Sequence, residues 1–288
     1  MRKKRICFVL FCIFVVLGTL LISIMVYNSR QDKFGLSNPQ RNENNIVTWN
    51  CIYFGTYPQN DTNKDGEVNQ RDKKEPIKWR VLAIEGKDAF LLADSNLDCQ
   101  PYHREWGTVA WSSCTLRQWL NEDFYKTAFT AEEQSAIQKT SVLNNIGDDT
   151  SDKVYLLSYE EICNEKYGFS RKAGANSKTR EAKNTTFVEA QGVISSDDMT
   201  GGWWLRSYDV TEEVPQRVDI YGAVDSCISV APCSSQTAVR PVIHLDLSKA
   251  EWIKADNVNC LGTGFSSIEK IAFNEASPGV ATLQERSK

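Results

Sequence analysis

Histidine is scarce in this chain: its 288 residues include only His103 and His244. The two lie in unrelated stretches, which excludes most zinc sites and most catalytic triads that depend on histidine. The chain also lacks a Cys-x-x-Cys pair and a Gly-x-Ser-x-Gly motif, so neither a zinc knuckle nor a hydrolase nucleophile is expected. Glu160 and Glu161 are adjacent, but adjacent residues of a helix do not face each other. The sequence therefore indicates no reaction.

The chain also lacks a basic stripe beyond the N-terminus. The formal net charge is −4 and the sequence pI is near 5.4, so nucleic acid is not expected as a partner. Cations do gather at residues 2–5, directly before 22 uncharged residues from Ile6 to Tyr27. At ~1.5 Å per residue this run spans roughly 33 Å, which is enough to cross a bilayer core of ~30 Å.

This uncharged run predicts an uncleaved signal anchor over residues 6–27, with a cytoplasmic basic tail at 1–5 and the remaining chain outside the cell. The protein would then be a single-pass protein of the cell membrane, with the lipid bilayer as one partner. A cleaved signal peptide and a buried helix of a soluble domain are the alternatives. Residues 28–46 are polar and rich in Asn, which predicts a flexible stalk.

An extracellular domain is predicted over residues 47–248, followed by a C-terminal extension over 249–288. Alternating β-branched and aromatic residues predict strands over 48–54, 77–84 and 89–93. Apolar residues at helical spacing predict a helix over 115–125, and Thr130 and Ser158 each begin a capping box. Because strands and helices follow one another in blocks, we expect an α+β fold: an antiparallel sheet with helices segregated to one side.

The stretch Gly201-Gly202-Trp203-Trp204-Leu205-Arg206-Ser207 predicts a strand in the middle of the core. Neighbouring side chains of a strand point to opposite faces, so the two tryptophans should be buried on two different surfaces. Arg206 is expected to pair with a buried carboxylate or carbonyl. We expect these residues to be structural, and we expect any ligand site to lie in the loops that follow them, between Ser207 and Ala238.

Residues 61–72 predict a calcium loop. They carry oxygen-bearing side chains at positions 1, 3, 5, 9 and 12 of a twelve-residue stretch, with Gly66 at position 6. EF-hand loops have this spacing, because Ca²⁺ takes about six to eight oxygens and the loop turns sharply at the glycine. The predicted ligands are Asp61, Asn63, Asp65, Glu67 through its carbonyl group, Asn69 and Asp72. A polar hairpin loop rich in turn-forming residues is the alternative.

The same loop resembles the calcium loop of dockerin repeats, which also end in Asp. It departs from dockerins after Asp72, because Lys73-Lys74-Glu75-Pro76 leads into a predicted strand, with no second helix and no duplicate loop. The resemblance therefore implies calcium binding and does not extend to the binding of a cohesin.

Two further sets of residues are candidates for a site. Seven cysteines lie C-terminal to the predicted anchor, and Cys227 and Cys233 are the candidate disulfide because they are close in sequence and near predicted strand ends. Tyr102 and Trp106 are candidate ligand-binding residues, since exposed aromatic side chains with polar neighbours can stack on sugars or peptides. The alternative is that these aromatic residues cover the core.

Several motifs occur in a fixed order along the chain. They include Phe54-Gly55-Thr56-Tyr57-Pro58-Gln59, Trp79-Arg80-Val81-Leu82, Leu116-Arg117-Gln118-Trp119-Leu120, Gly202-Trp203-Trp204-Leu205-Arg206-Ser207 and Val239-Arg240-Pro241. This succession resembles the bacterial domain of unknown function numbered 6273, over about residues 52–247. That family is found in bacterial surface and secreted proteins, which agrees with the predicted anchor. No activity is established for it, so the resemblance implies no catalytic residue.

The layout also resembles a C-type-lectin-like fold, in which terminal strands pair and a Trp-Gly-rich strand precedes a final hairpin. This likeness concerns architecture alone. We therefore expect a membrane-anchored recognition domain with a calcium-stabilised loop, which binds an extracellular glycan, peptide or protein, rather than an enzyme. A cell-surface enzyme that uses a reactive thiol and a purely structural protein of the cell envelope are the alternatives.

Overall fold

The computed structural model describes residues 34–226 and 236–262. Its strands form two β-sheets and a separate hairpin. The larger sheet contains β1 (Gln40–Arg41), β2 (Val47–Tyr57), β3 (Glu75–Glu85), β4 (Asp88–Ala93), β8 (Val154–Tyr155), β13 (Val242–Asp246) and β14 (Ile253–Asn259). The smaller sheet contains β5 (Asp98–Cys99), β9 (Trp203–Asp209), β10 (Val214–Val218), β11 (Val224–Asp225) and β12 (Ala238–Val239). The hairpin is formed by β6 (Thr140–Val142) and β7 (Thr150–Asp152).

The helices are short and lie between the strands in sequence. They are α1 (Thr115–Trp119), which continues through a π-helical turn (Leu120–Phe124) into α2 (Tyr125–Ala128), then α3 (Ala131–Ala136), α4 (Tyr159–Ile162) and α5 (Thr186–Ala190). Single 3₁₀ turns cover Trp111–Ser113 and Glu165–Tyr167. The fold is therefore α+β with few helices.

The strand pairing is antiparallel almost throughout. In the larger sheet β2 pairs with both β3 and β14, and β13 lies between β4 and β8. In the smaller sheet β12 pairs with β9 in parallel at Ala238 and Trp203, while the other pairings there are antiparallel. The predicted α+β class is confirmed, whereas the strands are divided between two main sheets and do not form the single expected sheet.

The strongest local signals agree with the structure. Strands β2, β3 and β4 cover the three predicted strands, and both capping boxes are present, with Thr130 paired to Glu133 and Ser158 to Glu161. The predicted helix over 115–125 runs on to residue 128 through the π-helical turn. Each of these elements has its signal within its own sequence, in apolar periodicity or in a side-chain cap.

Both predicted ends of the domain are wrong, because packed residues lie outside 47–248. Residues 34–46 belong to the predicted flexible stalk, yet Leu36 is buried in the core and β1 pairs with the start of β2. Residues 253–259 belong to the predicted extension over 249–288, yet they form β14, which pairs along β2. A polar strand at a sheet edge buries only some of its residues, so its apolar periodicity is weak.

Other predictions fall outside the described residues. They concern the basic tail at 1–5, the anchor at 6–27, the pair of Cys227 and Cys233, and the last part of the C-terminal extension. Among the residues that are described, no helix has both the length and the apolar character needed to cross a membrane.

The segment over residues 238–246 passes directly from one main sheet to the other. Ala238–Val239 forms β12 in the smaller sheet, and Val242–Asp246 forms β13 in the larger one. Between them lie Arg240, which is fully buried, and Pro241, whose carbonyl oxygen accepts a hydrogen bond from the backbone N–H of Ala93 at 3.0 Å. Proline has no N–H to donate to a ladder, so it suits the point where the strand leaves one sheet for the other.

Candidate functional site

Strand β9 is the central strand of the smaller sheet, and loops are attached at both of its ends. Trp203 and Trp204 are both fully buried, as their alternation predicts. The indole N–H of Trp203 donates to the carbonyl of Arg180 at 3.2 Å, and that of Trp204 donates to the carbonyl of Gln100 at 3.0 Å. The two tryptophans thus hold different parts of the chain against the strand, which is a structural role.

Arg206, farther along β9, holds two more segments in place. Its Nη1 donates to the carbonyl of Leu156 at 2.8 Å and to the carboxylate of Glu161, and its Nη2 donates to the same carboxylate at 3.2 Å. Its Nε and Nη2 each lie 3.4 Å from the carbonyl oxygen of Leu143. The expected pairing with a carboxylate and carbonyls is confirmed, and it fixes the loop that begins at Leu143.

Three loops contact the C-terminal half of β9. The loop over 101–110 is attached through Tyr102, whose hydroxyl donates to the carbonyl of Arg206 at 3.1 Å. The loop over 143–149 is attached through Asn145, which exchanges two hydrogen bonds with the backbone of Tyr208, at 2.6 and 3.1 Å. The third loop, over 210–213, is the turn between β9 and β10.

Tyr102 is not a ligand-binding residue in this fold, which corrects the prediction for it. Its side chain is fully buried and packs edge-on against Trp204 with ring centroids 5.6 Å apart. Burial raises its pKa well above the usual value for tyrosine. Trp106, four residues later, is exposed over 78% of its surface. The two aromatic residues predicted as a pair therefore have different roles, since Tyr102 anchors the loop that presents Trp106.

We use the name apolar surface for three exposed apolar residues on these loops, Trp106, Leu143 and Val210. Their exposed fractions are 78%, 71% and 65%, the three highest among the large hydrophobic residues that the structure describes. Each lies on a different one of the three loops that contact the C-terminal half of β9. The sequence alone does not predict Leu143 and Val210, because each is a single apolar residue next to turn-forming residues and shows no periodicity.

Acidic side chains accompany the apolar surface on the same three loops. Their exposed carboxylates are Glu105, Asp148, Asp149, Glu212 and Glu213. The exposed cation of these loops is Arg104, so five negative charges against one positive charge give a net charge of −4. We refer to these five carboxylates as the acidic rim.

The predicted calcium loop has the expected turn. The carboxylate of Asp61 accepts backbone hydrogen bonds from Lys64 at 2.6 Å and Gly66 at 2.9 Å, and the carboxylate of Asp65 accepts one from Glu67 at 2.9 Å. Gly66 has a φ of +87°, a conformation that favours glycine. Asn63 donates from its side-chain amide to Asp65 at 3.0 Å.

Asp72 does not fit the part of a closing metal ligand in this conformation. It is 4% exposed, and its Oδ1 accepts from the backbone N–H and hydroxyl of Thr62 at 2.8 and 3.2 Å and from the N–H of Asn63 at 3.3 Å. Its Oδ2 accepts from the N–H of Asn69 at 2.9 Å. These backbone hydrogen bonds, that from Asn69 foremost, lower the pKa of Asp72. Asp72 thus fastens the loop without a metal.

The geometry of residues 61–72 therefore supports the turn of a calcium loop and does not assemble its full ligand set. Within residues 34–226 and 236–262, no three side chains of His, Cys, Asp or Glu stand close enough together to hold a metal ion. A calcium ion would have to draw on amide and backbone oxygens beside Asp61 and Asp65. Calcium binding remains a prediction from the spacing.

The described cysteines are poorly suited to act as nucleophiles. Burial raises the pKa of Cys51, Cys99 and Cys114 to about 12 in each case, so these thiols stay protonated at neutral pH. Burial also raises the pKa of Cys163. No disulfide joins two of the cysteines in the described part of the chain.

Comparison with known proteins gives one match. The family model "Domain of unknown function (DUF6273)" matches residues 86–247, more than half of the chain. The chain belongs to this family. The match begins at the turn between β3 and β4 and ends just after β13, so it includes all of β9 and the three loops around it. No curated protein and no solved structure matches the chain.

The DUF6273 match is shorter than the resemblance seen in the sequence, which begins near residue 52. Strands β2 and β3, with the predicted calcium loop between them, precede the matched region. The three segments of the apolar surface lie within it. The loops at the C-terminal end of β9 are therefore part of the family domain, whereas the loop over 61–72 is not part of the matched stretch.

Proposed function

We propose that this chain is a recognition domain that binds a partner protein through the apolar surface. The observation that carries the proposal is that the three most exposed large hydrophobic residues of the described chain lie on three loops that contact one half of β9. Single exposed apolar residues are common on protein surfaces, whereas several on loops held at the same end of one strand support an interaction site. Tryptophan is also among the residues most enriched where binding energy is concentrated.

The acidic rim indicates the chemistry of the partner. Five exposed carboxylates on the same three loops as Trp106, Leu143 and Val210 favour a partner surface that carries Lys or Arg beside apolar side chains. Charge complementarity of this kind speeds association and weakens with added salt. We therefore propose a basic protein segment as the partner. Binding of a glycan, which the sequence also allows, is an alternative that the test distinguishes.

The loops are well supported for such a role. The N–H of Thr115 donates to Nδ1 of His103 at 3.3 Å, and the N–H of Arg104 donates to the hydroxyl of Thr115 at 3.1 Å, which fixes the start of the Trp106 loop. The carboxylate of Asp209 accepts from the N–H groups of Thr211 and Glu212 at 2.9 and 3.2 Å, which shapes the Val210 turn. A preformed surface loses less conformational entropy on binding.

The setting of the domain is part of the proposal. The basic tail at 1–5 and the uncharged run over 6–27 support a signal anchor in the cell membrane, with the domain on the outside. The pairing of β2 with β14 near the two ends of the domain supports a C-type-lectin-like arrangement. The thiol-dependent enzyme is the weaker alternative, because burial raises the pKa of the buried cysteines.

The test is a selection from a displayed random-peptide library, with the full-length chain in detergent as the target. We expect the selected peptides to carry Lys or Arg next to an aromatic or aliphatic residue. The triple variant Trp106→Ala, Leu143→Ser, Val210→Ser should weaken their binding at least tenfold, and binding should also weaken as salt is raised.

Tyr221→Ala is the matched control, because Tyr221 is exposed over 57% of its surface but lies in the turn between β10 and β11. This variant should bind the selected peptides as the wild type does. Peptides that bind the triple variant equally well, or a parallel glycan array that gives binding lost in the triple variant, would overturn a protein partner at this surface.

A further inference from the structure

A cavity of about 110 Å³ lies near the N-terminal end of β9, away from the apolar surface. It is bounded by Arg80 of β3, by the segment over 178–183, by Asp198 and Thr200, and by the loop over 259–262 at the end of β14. A water molecule occupies about 30 Å³ of liquid, so the cavity has room for about three or four waters or for one small polyatomic ion.

Arg80 lines this cavity, and one donor of its guanidinium has no partner among the described residues. The residue is only 6% exposed, its Nε donates to Oδ1 of Asp94 at 2.5 Å, and its guanidinium lies 4.9 Å from the ring centroid of Trp49. Its Nη1 is buried and has no hydrogen-bond partner among the described residues. Buried polar groups of native proteins nearly always have a partner, so this guanidinium N–H group lacks an acceptor.

The charges around Arg80 do not balance. Asp94 lies between two buried guanidinium groups, because Nη2 of Arg240 donates to its backbone carbonyl at 3.1 Å while Arg80 binds its carboxylate. Two cations and one carboxylate leave one positive charge in the core. Burial and the neighbouring Arg80 lower the pKa of Arg240, which agrees with this excess. Buried charges are ordinarily paired, and an excess cation attracts an anion.

The other charged groups at the cavity are already paired. Nζ of Lys183 donates to the backbone and side-chain oxygens of Asp198 and to the hydroxyl of Thr200, which uses its three N–H groups. Lys178 pairs with Glu181 at 2.8 Å, is 66% exposed and has further N–H groups to donate. The two carboxylates at the cavity are thus each neutralised by a lysine, and the excess positive charge stays at Arg80 and Arg240.

The approach to the cavity is also cationic. A wider surface cleft shares Lys178, Cys260 and Leu261 with it. That cleft is further lined by Arg41, Arg171 and Lys172, and its one carboxylate among the described residues is Glu165. Clefts lined by charges of one sign raise the local concentration of ions of the opposite sign.

We propose that this cavity binds the oxyanion group of a small ligand, a carboxylate or a phosphate group, with the guanidinium of Arg80 and Nζ of Lys178 as donors. Guanidinium N–H groups match the oxygens of carboxylates and phosphates, and a charge-assisted hydrogen bond of this kind is stronger than a neutral one. The inference is independent of the partner protein at the apolar surface, because it concerns other residues and the other end of β9.

The test is thermal unfolding of the full-length chain with increasing sodium acetate or sodium phosphate, at an ionic strength held constant with sodium chloride. A ligand that binds only the folded state raises the midpoint in a saturable way. We expect saturable stabilisation by acetate or by phosphate, and the stronger of the two identifies the carboxylate or the phosphate as the preferred group.

Three variants separate the site from a general salt effect. Arg80→Lys keeps the charge and loses the planar guanidinium, and it should weaken the apparent affinity at least tenfold. Lys178→Glu changes an exposed residue at the cavity, and it should weaken the affinity at least threefold even if Arg80→Lys does not fold. The matched control is Lys126→Glu on the exposed face of α2, which should leave the affinity unchanged. Equal stabilisation in Lys178→Glu and Lys126→Glu, or none in the wild type with either anion, would overturn the proposal.

Discussion

The two ends of β9 place buried arginines in opposite situations. Near the C-terminal end, Arg206 binds the carboxylate of Glu161 and the carbonyls of Leu143 and Leu156, and each of its guanidinium nitrogens has a partner. Near the N-terminal end, Arg80 and Arg240 share Asp94, and Nη1 of each is without a partner in the described part of the chain.

This difference separates a structural cation from one that can serve a ligand. A buried guanidinium whose N–H groups are all satisfied stabilises the loops that it joins, as Arg206 does for the loop of Leu143. A buried guanidinium that lies beside a cavity and has an N–H group without an acceptor can bind an anion. Burial and residue type are alike at the two ends, whereas the number of hydrogen-bond partners and the balance of charge differ.

The largest effect is expected when one arginine near each end of β9 is replaced with methionine. Arg206→Met leaves Glu161 without its cation, and breaking a buried pair in this way should lower the free energy of unfolding by about 3 kcal/mol. Arg80→Met leaves Asp94 beside Arg240, so the cluster becomes neutral and the loss should be smaller, about 1.5 kcal/mol for one hydrogen bond to a charged group. Urea unfolding of both variants measures the two losses. An equal or larger loss for Arg80→Met would contradict the view that charge is in excess there.

A second test concerns calcium at the loop over 61–72. The loop over 61–72 comes directly after Gln59 and Asn60, which bind helix α5 through the backbone N–H of Phe187 and the hydroxyl of Thr186. If a site of modest affinity exists, with a Kd on the order of 0.1 mM, then a calcium concentration of about 1 mM should add about 1.4 kcal/mol, or about 4 °C in the unfolding midpoint.

The double variant Asp61→Ala, Asp65→Ala should lose this calcium-dependent rise, while magnesium at the same concentration serves as the ion control. Asp72→Ala should destabilise the chain even without calcium, because the N–H groups of Thr62, Asn63 and Asn69 would lose their acceptor. If the unfolding midpoint of the wild type does not change with calcium, the predicted calcium site is wrong and Asp72 has a structural role alone.

The smallest expected effect is a dependence of stability on pH at the Arg80 cluster. Burial opposes ionisation of Asp94, but Arg80 more than offsets it, and the pKa of Asp94 in the folded chain lies below its usual value. A carboxyl group with a lowered folded pKa stabilises the fold above its unfolded pKa of about 3.9, and this contribution is lost as the pH falls through the folded pKa. Urea midpoints measured from about pH 5 downwards should therefore fall, and they should fall less steeply in Asp94→Asn than in the exposed control Asp123→Asn.

The elements that could be predicted from the sequence are those whose signal is local. The capping boxes at Thr130 and Ser158, the alternating strands and the two buried tryptophans all depend on neighbours within a few residues. The domain ends could not be predicted in this way, because β1 and β14 are short or polar strands whose structure comes from pairing with β2. No pattern within residues 34–46 indicates that β1 pairs with β2, because this pairing forms only when the chain folds.

The candidate sites show the same limit. Trp106 could be predicted as an exposed aromatic residue from its polar neighbours, whereas Tyr102 has similar neighbours and is buried, because its hydroxyl reaches the carbonyl of Arg206 on a distant strand. Leu143 and Val210 become part of a surface only when the loops meet at β9. The N–H group of Arg80 that lacks an acceptor results from three-dimensional packing, and no sequence pattern predicts it.

The passage of one segment from the smaller sheet into the larger one has a consequence for cooperativity. Separation of the two sheets would pull β12 away from β5 and β9 or β13 away from β4 and β8, and it would expose the guanidinium of Arg240 at the junction. Neither sheet can therefore melt while the other keeps its full set of strands. The domain should lose its secondary and tertiary signals in a single transition, and the slowest-exchanging amides should be distributed over both sheets.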